Sequence, residues 1–312
     1  MSTEKKGGIY SPVVTPFGAD LAPDGQRLVR HCRWLLSQGV GLAVFGTNSE
    51  ANSMSAQEKM GLMDDLVKAG IAPGRMMPGT GCCALTDTVE LTRHALAHGI
   101  HDVLMLPPFY YKGVSDDGLF ASYSEVIQRV GDASLRIYLY HIPPVSQVPL
   151  SIPLIQRLLD AYPGVIAGIK DSSGDWSNTQ AMLQSVQSPD FNVYAGSESF
   201  LLDTLRGGGA GCITATGNVN PAAIVHLYET WQNDDADRQQ AALNAVRQAF
   251  QQFSMIPALK AAVASYGEDP DWSRVRPPLL ALNDTQTKKL ITDLDKLGFS
   301  MPGLNQKPGQ TG

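Results

Sequence analysis

Short apolar runs alternate with longer amphipathic segments along the first three-quarters of the chain. An apolar run without polar alternation is typical of a strand that is covered on both faces, so each run predicts a buried strand. The segments between the runs predict helices, as where Leu28 and Cys32 share one face of residues 26–38. The predicted strands are residues 9–15, 42–45, 76–79, 102–106, 136–140, 165–170, 192–195 and 211–214.

Eight alternating strand–helix units predict an α/β protein with a parallel sheet. Eight such units that close on themselves form a (β/α)8 TIM barrel, which we expect over residues 1–235. An open doubly wound sheet is the alternative, but it would usually carry a nucleotide-binding fingerprint, and no GxGxxG motif is present. Residues 236–300 have a helical pattern and predict a C-terminal helical region. Residues 301–312, rich in Gly, Pro and Gln, predict a disordered tail.

Composition argues against several classes of function. The net charge of -6 leaves no basic surface of the kind that binds nucleic acid. The sequence has no polybasic segment and no apolar stretch long enough to span a bilayer, so it does not indicate a membrane protein. The N-terminal residues lack the apolar core of a signal peptide, and the four cysteines form no CxxC pair. We therefore expect a reduced, cytoplasmic protein.

A lysine ends the predicted strand 165–170. Lys170 is the only lysine between residues 113 and 259, and the turn-forming residues 171–174 follow it directly. At the end of a buried strand its side chain would be partly desolvated, which favours the neutral amine. A neutral amine is a nucleophile that forms a Schiff base with a carbonyl group. The alternative is a lysine that simply extends into solvent.

Other polar groups are predicted at the same edge of the barrel, where the active site of this fold lies. The turn 46–50 follows the second strand, and its backbone N–H groups with the hydroxyls of Thr47 and Ser49 suit a carboxylate. Tyr140 ends the strand before that of Lys170, so its phenol is placed for general acid or base catalysis. An ordinary capping loop and a core tyrosine are the alternatives.

Four motifs occur in order at these strand ends: Gly46-Thr47-x-x-Glu50, Tyr110-Tyr111, Tyr140-x-x-Pro143 and Gly168-Ile169-Lys170-Asp171. With this order and spacing, the chain resembles the dihydrodipicolinate synthase / N-acetylneuraminate lyase family from about residue 8 to 300. The resemblance implies a class I, Schiff-base enzyme that acts on pyruvate or another 2-oxo acid. It also implies that no metal or organic cofactor is needed and that the chain forms a homotetramer built from dimers.

The resemblance assigns roles to individual residues. Lys170 matches the Schiff-base lysine and Tyr140 the proton-transferring tyrosine. Thr47 matches the first hydroxyl residue of the carboxylate loop. Tyr111 matches the tyrosine that reaches into the neighbouring subunit's site, and Ile213 the apolar residue beneath the pyruvyl group.

Several positions depart from the family's pattern. Val145 stands where the synthases carry an arginine that grips a carboxylate of aspartate semialdehyde, a contact that valine cannot make. Asn48 replaces a threonine and Ser49 a glycine in the carboxylate loop, which changes the usual proton relay. Ser197 replaces a tyrosine and Ala215 a serine of the sialic-acid lyases. These departures argue against the synthase reaction and against sialic acid as substrate.

The sequence therefore predicts an aldolase-type lyase that cleaves or dehydrates a 2-keto-3-deoxy acid through a lysine imine. The residues expected to contact the aldehyde half of the substrate are His141, Val145, Ser146, Ser197 and Glu198. One alternative is the 4-hydroxy-tetrahydrodipicolinate synthase reaction, in which pyruvate condenses with aspartate semialdehyde. The other is a non-catalytic barrel that binds a 2-oxo acid.

Two rival sites are weighed against this prediction. His94 and His98 lie four residues apart on a predicted helix, a spacing compatible with metal binding. The HExxH motif is absent and the helix points away from the strand ends, so no metal site is expected. Lys260 is a second candidate for a buried lysine. It lies in a helical pattern of the C-terminal region and is interpreted as structural or rim-forming.

Overall fold

The structure, a computed structural model, describes residues 7–186 and 190–305. Seven parallel strands form one curled sheet in the order β2-β1-β7-β6-β5-β4-β3. The strands are β1 (Gly8–Ser11), β2 (Gly41–Leu42), β3 (Asp102–Met105), β4 (Arg136–His141), β5 (Ile166–Asp171), β6 (Asn192–Ala195) and β7 (Gly211–Ile213).

Residues 76–79 close this sheet into a ring. Met76 makes a parallel bridge to Leu42 at the end of β2, and Gly79 makes one to Leu104 in β3. The two outer strands of the sheet are thus joined through residues 76–79, the third of the eight predicted strands. The predicted (β/α)8 barrel is confirmed.

Twelve α-helices lie among the described residues, most of them around the barrel. The first eight are α1 (Gly25–Ser37), α2 (Ala56–Lys68), α3 (Leu85–Ala97), α4 (Asp116–Val130), α5 (Pro143–Ser146), α6 (Ile152–Ala161), α7 (Trp176–Ser185) and α8 (Leu201–Arg206). The last four are α9 (Pro221–Thr230), α10 (Ala236–Gln251), α11 (Met255–Tyr266) and α12 (Asp284–Lys296). None of the helices in the described part of the chain is long and apolar enough to cross a bilayer.

Large side chains fill the inside of the barrel. The ring of Tyr194 packs edge-on against those of Tyr10 and Tyr138, with 5.9 Å between ring centroids in both pairs. Gly168 makes room for this cluster, because a Cβ there would lie 2.7 Å from the Tyr138 ring and 2.4 Å from Asn192 O. The barrel is therefore a packed core, and only its ends are open to ligands.

A second, larger core lies outside the barrel and continues into the C-terminal helices. Phe250 of α10 and Leu259 of α11 are fully buried in the same cluster as Val13 and Leu35. Besides their hydrophobic packing, α10 and α11 bring the polar side chains of Arg247 and Lys260 to the strand ends of the barrel.

The predicted disordered tail is wrong for residues 301–305. Met301 is buried, and Pro302 O accepts a hydrogen bond of 2.9 Å from Trp34 Nε1. Burial of an apolar side chain and one satisfied indole N–H hold this segment on α1. The rest of the predicted tail, 306–312, lies outside the described residues.

Candidate active site

The carboxyl ends of the strands surround a cavity of about 390 Å³, a size that suits a small molecule. Six of the residues predicted from sequence line it: Thr47, Asn48, Tyr140, Val145, Lys170 and Ser197. They come from the loops or ends of four different strands, which explains why they are far apart in the chain.

Lys170 lies near the end of β5 and is only 2% exposed. It is paired in register with Tyr140 of the neighbouring strand β4. Its Nζ lies 4.2 Å from the centroid of the Tyr140 ring. The sheet register thus places a buried amine beside a phenol, as expected from two adjacent parallel strands.

The phenol of Tyr140 also contacts Thr47. Tyr140 OH and Thr47 Oγ1 are 3.2 Å apart, and either atom is able to donate the hydrogen bond. Lys170, Tyr140 and Thr47 therefore lie side by side at the cavity, with the Tyr140 ring next to the amine and its hydroxyl hydrogen-bonded to Thr47. A proton passed to the phenol has a second hydroxyl next to it.

The Thr47–Ser49 segment forms a tight helical turn at the cavity. Phe45 precedes Gly46, and Glu50 follows the turn. Both have left-handed φ angles, of 61° and 56°. Ser49 departs from its predicted role because its side chain is fully buried and its Oγ accepts a hydrogen bond of 3.1 Å from Gly46 N. Its hydroxyl stabilises the turn instead of lining the cavity.

A buried ion pair holds this turn against the C-terminal helices. Lys260 Nζ of α11 lies 2.7 Å from Glu50 Oε1, and both side chains are fully buried. The other oxygen of Glu50 accepts a hydrogen bond of 2.8 Å from Arg276 N. Burial lowers the pKa of Lys260 to about 8, although Glu50 opposes that shift. Lys260 is thus a structural residue, as its helical setting suggested.

His141 is buried away from the cavity, in contrast to its predicted contact with substrate. Its Nδ1 accepts a hydrogen bond of 3.0 Å from Leu150 N, so Nδ1 carries no proton. Burial lowers the pKa of His141, and the Asp171 carboxylate, 4.0 Å from Nε2, opposes that shift. The ring fixes the segment that follows β4 and is held by protein contacts.

Glu198 also differs from the prediction, because its side chain is only 1% exposed and does not line the cavity. Its carboxylate accepts short hydrogen bonds from the hydroxyls of Thr214 and Thr216. Arg247 of α10 forms an ion pair with it at 2.7 Å. Glu198 therefore holds Arg247, a residue that lines the cavity.

Tyr111 lies at the surface and does not line the cavity of its own chain. Tyr110 and Tyr111 are 74% and 73% exposed, and their rings pack edge-on. Lys112 fixes the loop that carries them, since its Nζ donates to the carbonyl oxygens of Phe109 and Ser146. Tyr111 is thus presented outward on an anchored loop.

Ile213 is fully buried inside the barrel, in the same apolar cluster as Tyr140. This position is compatible with its expected place beneath a bound ligand. Val145 lines the cavity and is 60% exposed, so it lies at the open rim. The roles assigned to these residues stay predictions.

Sequence reasoning missed the residues that the C-terminal helices bring to the cavity. Arg247 of α10 and residues 254–256 at the start of α11 line it. No local motif marks these positions. Active-site residues of a barrel are expected at the carboxyl ends of its strands, and this expectation does not extend to helices that follow the barrel. Only the packing of α10 and α11 against the barrel reveals them.

His94 of α3 and His98, the residue that follows this helix, both contact Asp64 of α2. The Nε2 atoms of both rings lie 2.7 Å from Asp64 Oδ1. The three residues are partly exposed and do not line the cavity. Hydrogen bonds to one carboxylate account for the approach of the two rings.

Comparison with known proteins gives a consistent assignment over nearly the whole chain. The profile of the dihydrodipicolinate synthetase family matches residues 5–297. The chain is 34% identical over 293 residues to an uncharacterized DapA-like lyase of Chloroflexus aurantiacus, a match that covers 93% of this chain and 96% of that protein.

Two solved structures have the same fold and moderate sequence identity. The dihydrodipicolinate synthase from Agrobacterium tumefaciens is 32% identical, with a TM-score of 0.86, covering 94% of this chain and 99% of that one. YagE from Escherichia coli K12, a prophage protein crystallised in complex with pyruvate, is 28% identical with a TM-score of 0.87 and the same coverage.

Proposed function

The chain belongs to the dihydrodipicolinate synthetase family of lyases and aldolases, and on this premise we propose that it forms a Schiff base with a 2-oxo acid. The substrate is a 2-keto-3-deoxy acid, which the enzyme cleaves by a retro-aldol reaction or dehydrates. One observation carries the proposal: the buried amine of Lys170 shares a cavity with the hydrogen-bonded hydroxyls of Tyr140 and Thr47. The pyruvate bound by YagE supports it.

In the first step, Lys170 Nζ attacks the C2 carbonyl carbon of the substrate. The resulting carbinolamine loses water and becomes a protonated imine, which is an electron sink. Tyr140 moves the protons that this exchange requires, because its phenol lies beside both Lys170 and Thr47. The Thr47–Ser49 turn holds the C1 carboxylate through Thr47, Asn48 and its backbone N–H groups.

In the first step Tyr140 gives its proton to the departing water, and in the second step the resulting phenolate accepts the proton of the substrate's C4 hydroxyl. The C3–C4 bond breaks, its electron pair moves into the imine to give an enamine, and the aldehyde leaves. Protonation at C3 and hydrolysis of the imine then release pyruvate and regenerate Lys170. In a dehydration, loss of a C3 proton gives the enamine, and the C4 hydroxyl leaves with a proton as water.

We propose that the imine itself supplies the electron sink, so that neither a metal nor an organic cofactor takes part. We also propose a homotetramer in which Tyr111 of one subunit enters the site of its neighbour. Its 73% exposure on an anchored loop supports this arrangement. The four unbridged cysteines agree with a cytoplasmic location.

The decisive experiment traps the imine. The protein is incubated with pyruvate, reduced with borohydride, and measured by intact mass and peptide mapping. We expect one pyruvyl adduct per chain, located on Lys170. Lys170→Ala should give no adduct, whereas Lys289→Ala, which changes a surface lysine, should give the same adduct as wild type.

An adduct that survives in Lys170→Ala would refute the assignment of the nucleophile, and a wild-type protein without any adduct would refute Schiff-base chemistry. A panel of 2-oxo acids then separates the reactions. Release of pyruvate indicates cleavage, and loss of water with retention of the carbon chain indicates dehydration. Consumption of pyruvate with aspartate semialdehyde would indicate the synthase reaction instead.

A further inference from the structure

Arg247, in the C-terminal helical region, reaches the cavity. The sequence alone indicates no positively charged residue that would bind the far end of the substrate. Arg247 lines the cavity together with Lys170, Ser197 and Val145, and its side chain is 14% exposed. The valine at position 145 removes one means of gripping a carboxylate. Arg247 supplies another from a different element.

The guanidinium of Arg247 is held from one side only. Its Nη1 lies 2.7 Å from Glu198 Oε2 and 3.3 Å from Thr214 Oγ1. Its Nε and Nη2 have no partner within residues 7–186 and 190–305, which leaves three N–H donors for a ligand. A planar fork of this kind suits an oxyanion, above all a carboxylate.

Glu198 is committed to positioning this arginine. Its carboxylate accepts hydrogen bonds from Thr214, Thr216 and Arg247, and its own backbone carbonyl accepts one of 2.9 Å from Gln240 Nε2. Gln240 and Arg247 lie two turns apart on the same face of α10. Both contacts dock α10 on the loop after β6 and fix the direction of the guanidinium.

The remaining charges of the cavity do not compete for this fork. Asp171 is the acidic residue among those that line the cavity. Its Oδ2 accepts hydrogen bonds of 2.6 Å from Thr179 Oγ1 and 3.1 Å from Asn178 Nδ2, and Ser173 N donates to Oδ1 at 2.9 Å. A ligand therefore meets the amine of Lys170 and the guanidinium of Arg247, whereas its first carboxylate is assigned to the Thr47–Ser49 turn.

We propose that Arg247 is an anion subsite for the far end of the substrate, which is a 2-keto-3-deoxy acid with a second, terminal carboxylate. This inference rests on the proposed Schiff-base function and names its substrate class. The shared chemistry is a terminal oxyanion, which could be a carboxylate or a phosphate. We assign the carboxylate because its planar shape matches the guanidinium fork, and because Glu198, 2.7 Å from Arg247, already offsets the positive charge that a phosphate dianion would need.

The test compares three substrates that differ at C6. They are 2-dehydro-3-deoxy-D-glucarate, which ends in a carboxylate, 2-dehydro-3-deoxy-D-gluconate, which ends in a hydroxymethyl group, and the 6-phosphate of the latter. For wild type we expect kcat/KM to be about 10- to 100-fold higher for the glucarate than for the gluconate, the range for a charged hydrogen bond. The phosphate should rank below the glucarate.

Two variants assign that preference to Arg247. The double variant Arg247→Met with Glu198→Gln leaves no unpaired buried carboxylate and should lower the preference to about threefold or less, because the charged hydrogen bond to the substrate is lost. Arg247→Lys keeps the charge but loses the fork, and should fall between the two. As a control, Arg206→Met with Asp237→Asn removes an exposed pair between α8 and α10 and should keep the wild-type preference.

The outcomes separate this inference from the proposed function. If wild type is not trapped by pyruvate and borohydride, the Schiff-base function is refuted. If wild type is trapped but prefers the hydroxymethyl substrate, or if the double variant lowers kcat/KM equally for all three substrates, the anion subsite is refuted. A preference for the phosphate that depends on Arg247 would overturn the assignment of the carboxylate.

Discussion

At the scale of single residues, the chemistry of the cavity depends on a contact between two side chains of adjacent strands. Register pairs Tyr140 of β4 with Lys170 of β5, and Thr47 approaches the phenol from the turn after β2. The ring of the phenol therefore lies against the Lys170 amine, and its hydroxyl is hydrogen-bonded to Thr47. It is the natural proton carrier both for formation of the imine and for cleavage.

Replacement of Tyr140 by Phe tests this role. The variant keeps the ring beside Lys170 but loses the phenol, so kcat should fall by about 10²- to 10⁴-fold, the contribution of general acid–base catalysis. Borohydride trapping with pyruvate should still succeed on long incubation, because Lys170 is intact. Rates are measured by coupled detection of pyruvate, with Tyr162→Phe, a tyrosine that does not line the cavity, as control. A Tyr140→Phe enzyme of wild-type kcat would contradict the role.

At the scale of elements, the carboxylate turn is a loop of the barrel whose support comes from the C-terminal region. Glu50, in a left-handed conformation at the end of the turn, is held by Lys260 of α11 and by Arg276 N. A left-handed conformation is unfavourable for a residue with a Cβ, so such a turn persists only where its surroundings hold it. The C-terminal helices are thereby part of the construction of the site.

A double-mutant cycle on the buried pair measures this support. Lys260→Met leaves Glu50 buried without its cation and should lower the free energy of unfolding by about 3–5 kcal/mol. Adding Glu50→Gln should recover most of the loss, because no charge is then buried and Arg276 N keeps an acceptor. Unfolding in urea gives the four stabilities.

The matched control for that cycle is the exposed pair Lys289–Asp293 of α12, which should contribute less than about 1 kcal/mol. If Lys260→Met were as stable as the exposed-pair variant Lys289→Met, the buried pair would not support the turn.

At the scale of the whole molecule, the exposed tyrosine loop agrees with the proposal that a neighbouring subunit contributes to the site. Tyr111 points outward beside Tyr110 and is predicted to serve a neighbouring subunit. The assembly is therefore expected to be required for full activity, and light scattering should show a tetramer of the 33.5 kDa chain.

Complementation between two inactive variants tests the shared site. Tyr111→Phe and Lys170→Ala should each have little activity alone. When they are mixed and allowed to exchange subunits, some sites take Lys170 from one chain and Tyr111 from another, so activity should return. Tyr110→Phe, which changes the adjacent and equally exposed tyrosine, should behave as wild type. Mixed tetramers without activity, or a fully active Tyr111→Phe, would refute a shared site.

The alternation of apolar runs and amphipathic segments was sufficient to predict the barrel, the order of its strands and the location of Lys170 at a strand end. These properties are local, because a strand and the loop after it are neighbours in the chain. The position of Tyr140 beside Lys170 also follows, since consecutive parallel strands of a barrel are paired.

The tertiary structure alone decided which way the other side chains face and which distant elements reach the cavity. His141, Ser49 and Glu198 are polar residues at strand ends, but each is buried against protein partners, and no local pattern distinguishes them from Thr47 or Ser197. Arg247 reaches the cavity only because α10 packs on the loop after β6. Contacts between residues far apart in the chain depend on packing geometry, which the periodicity of a sequence does not encode.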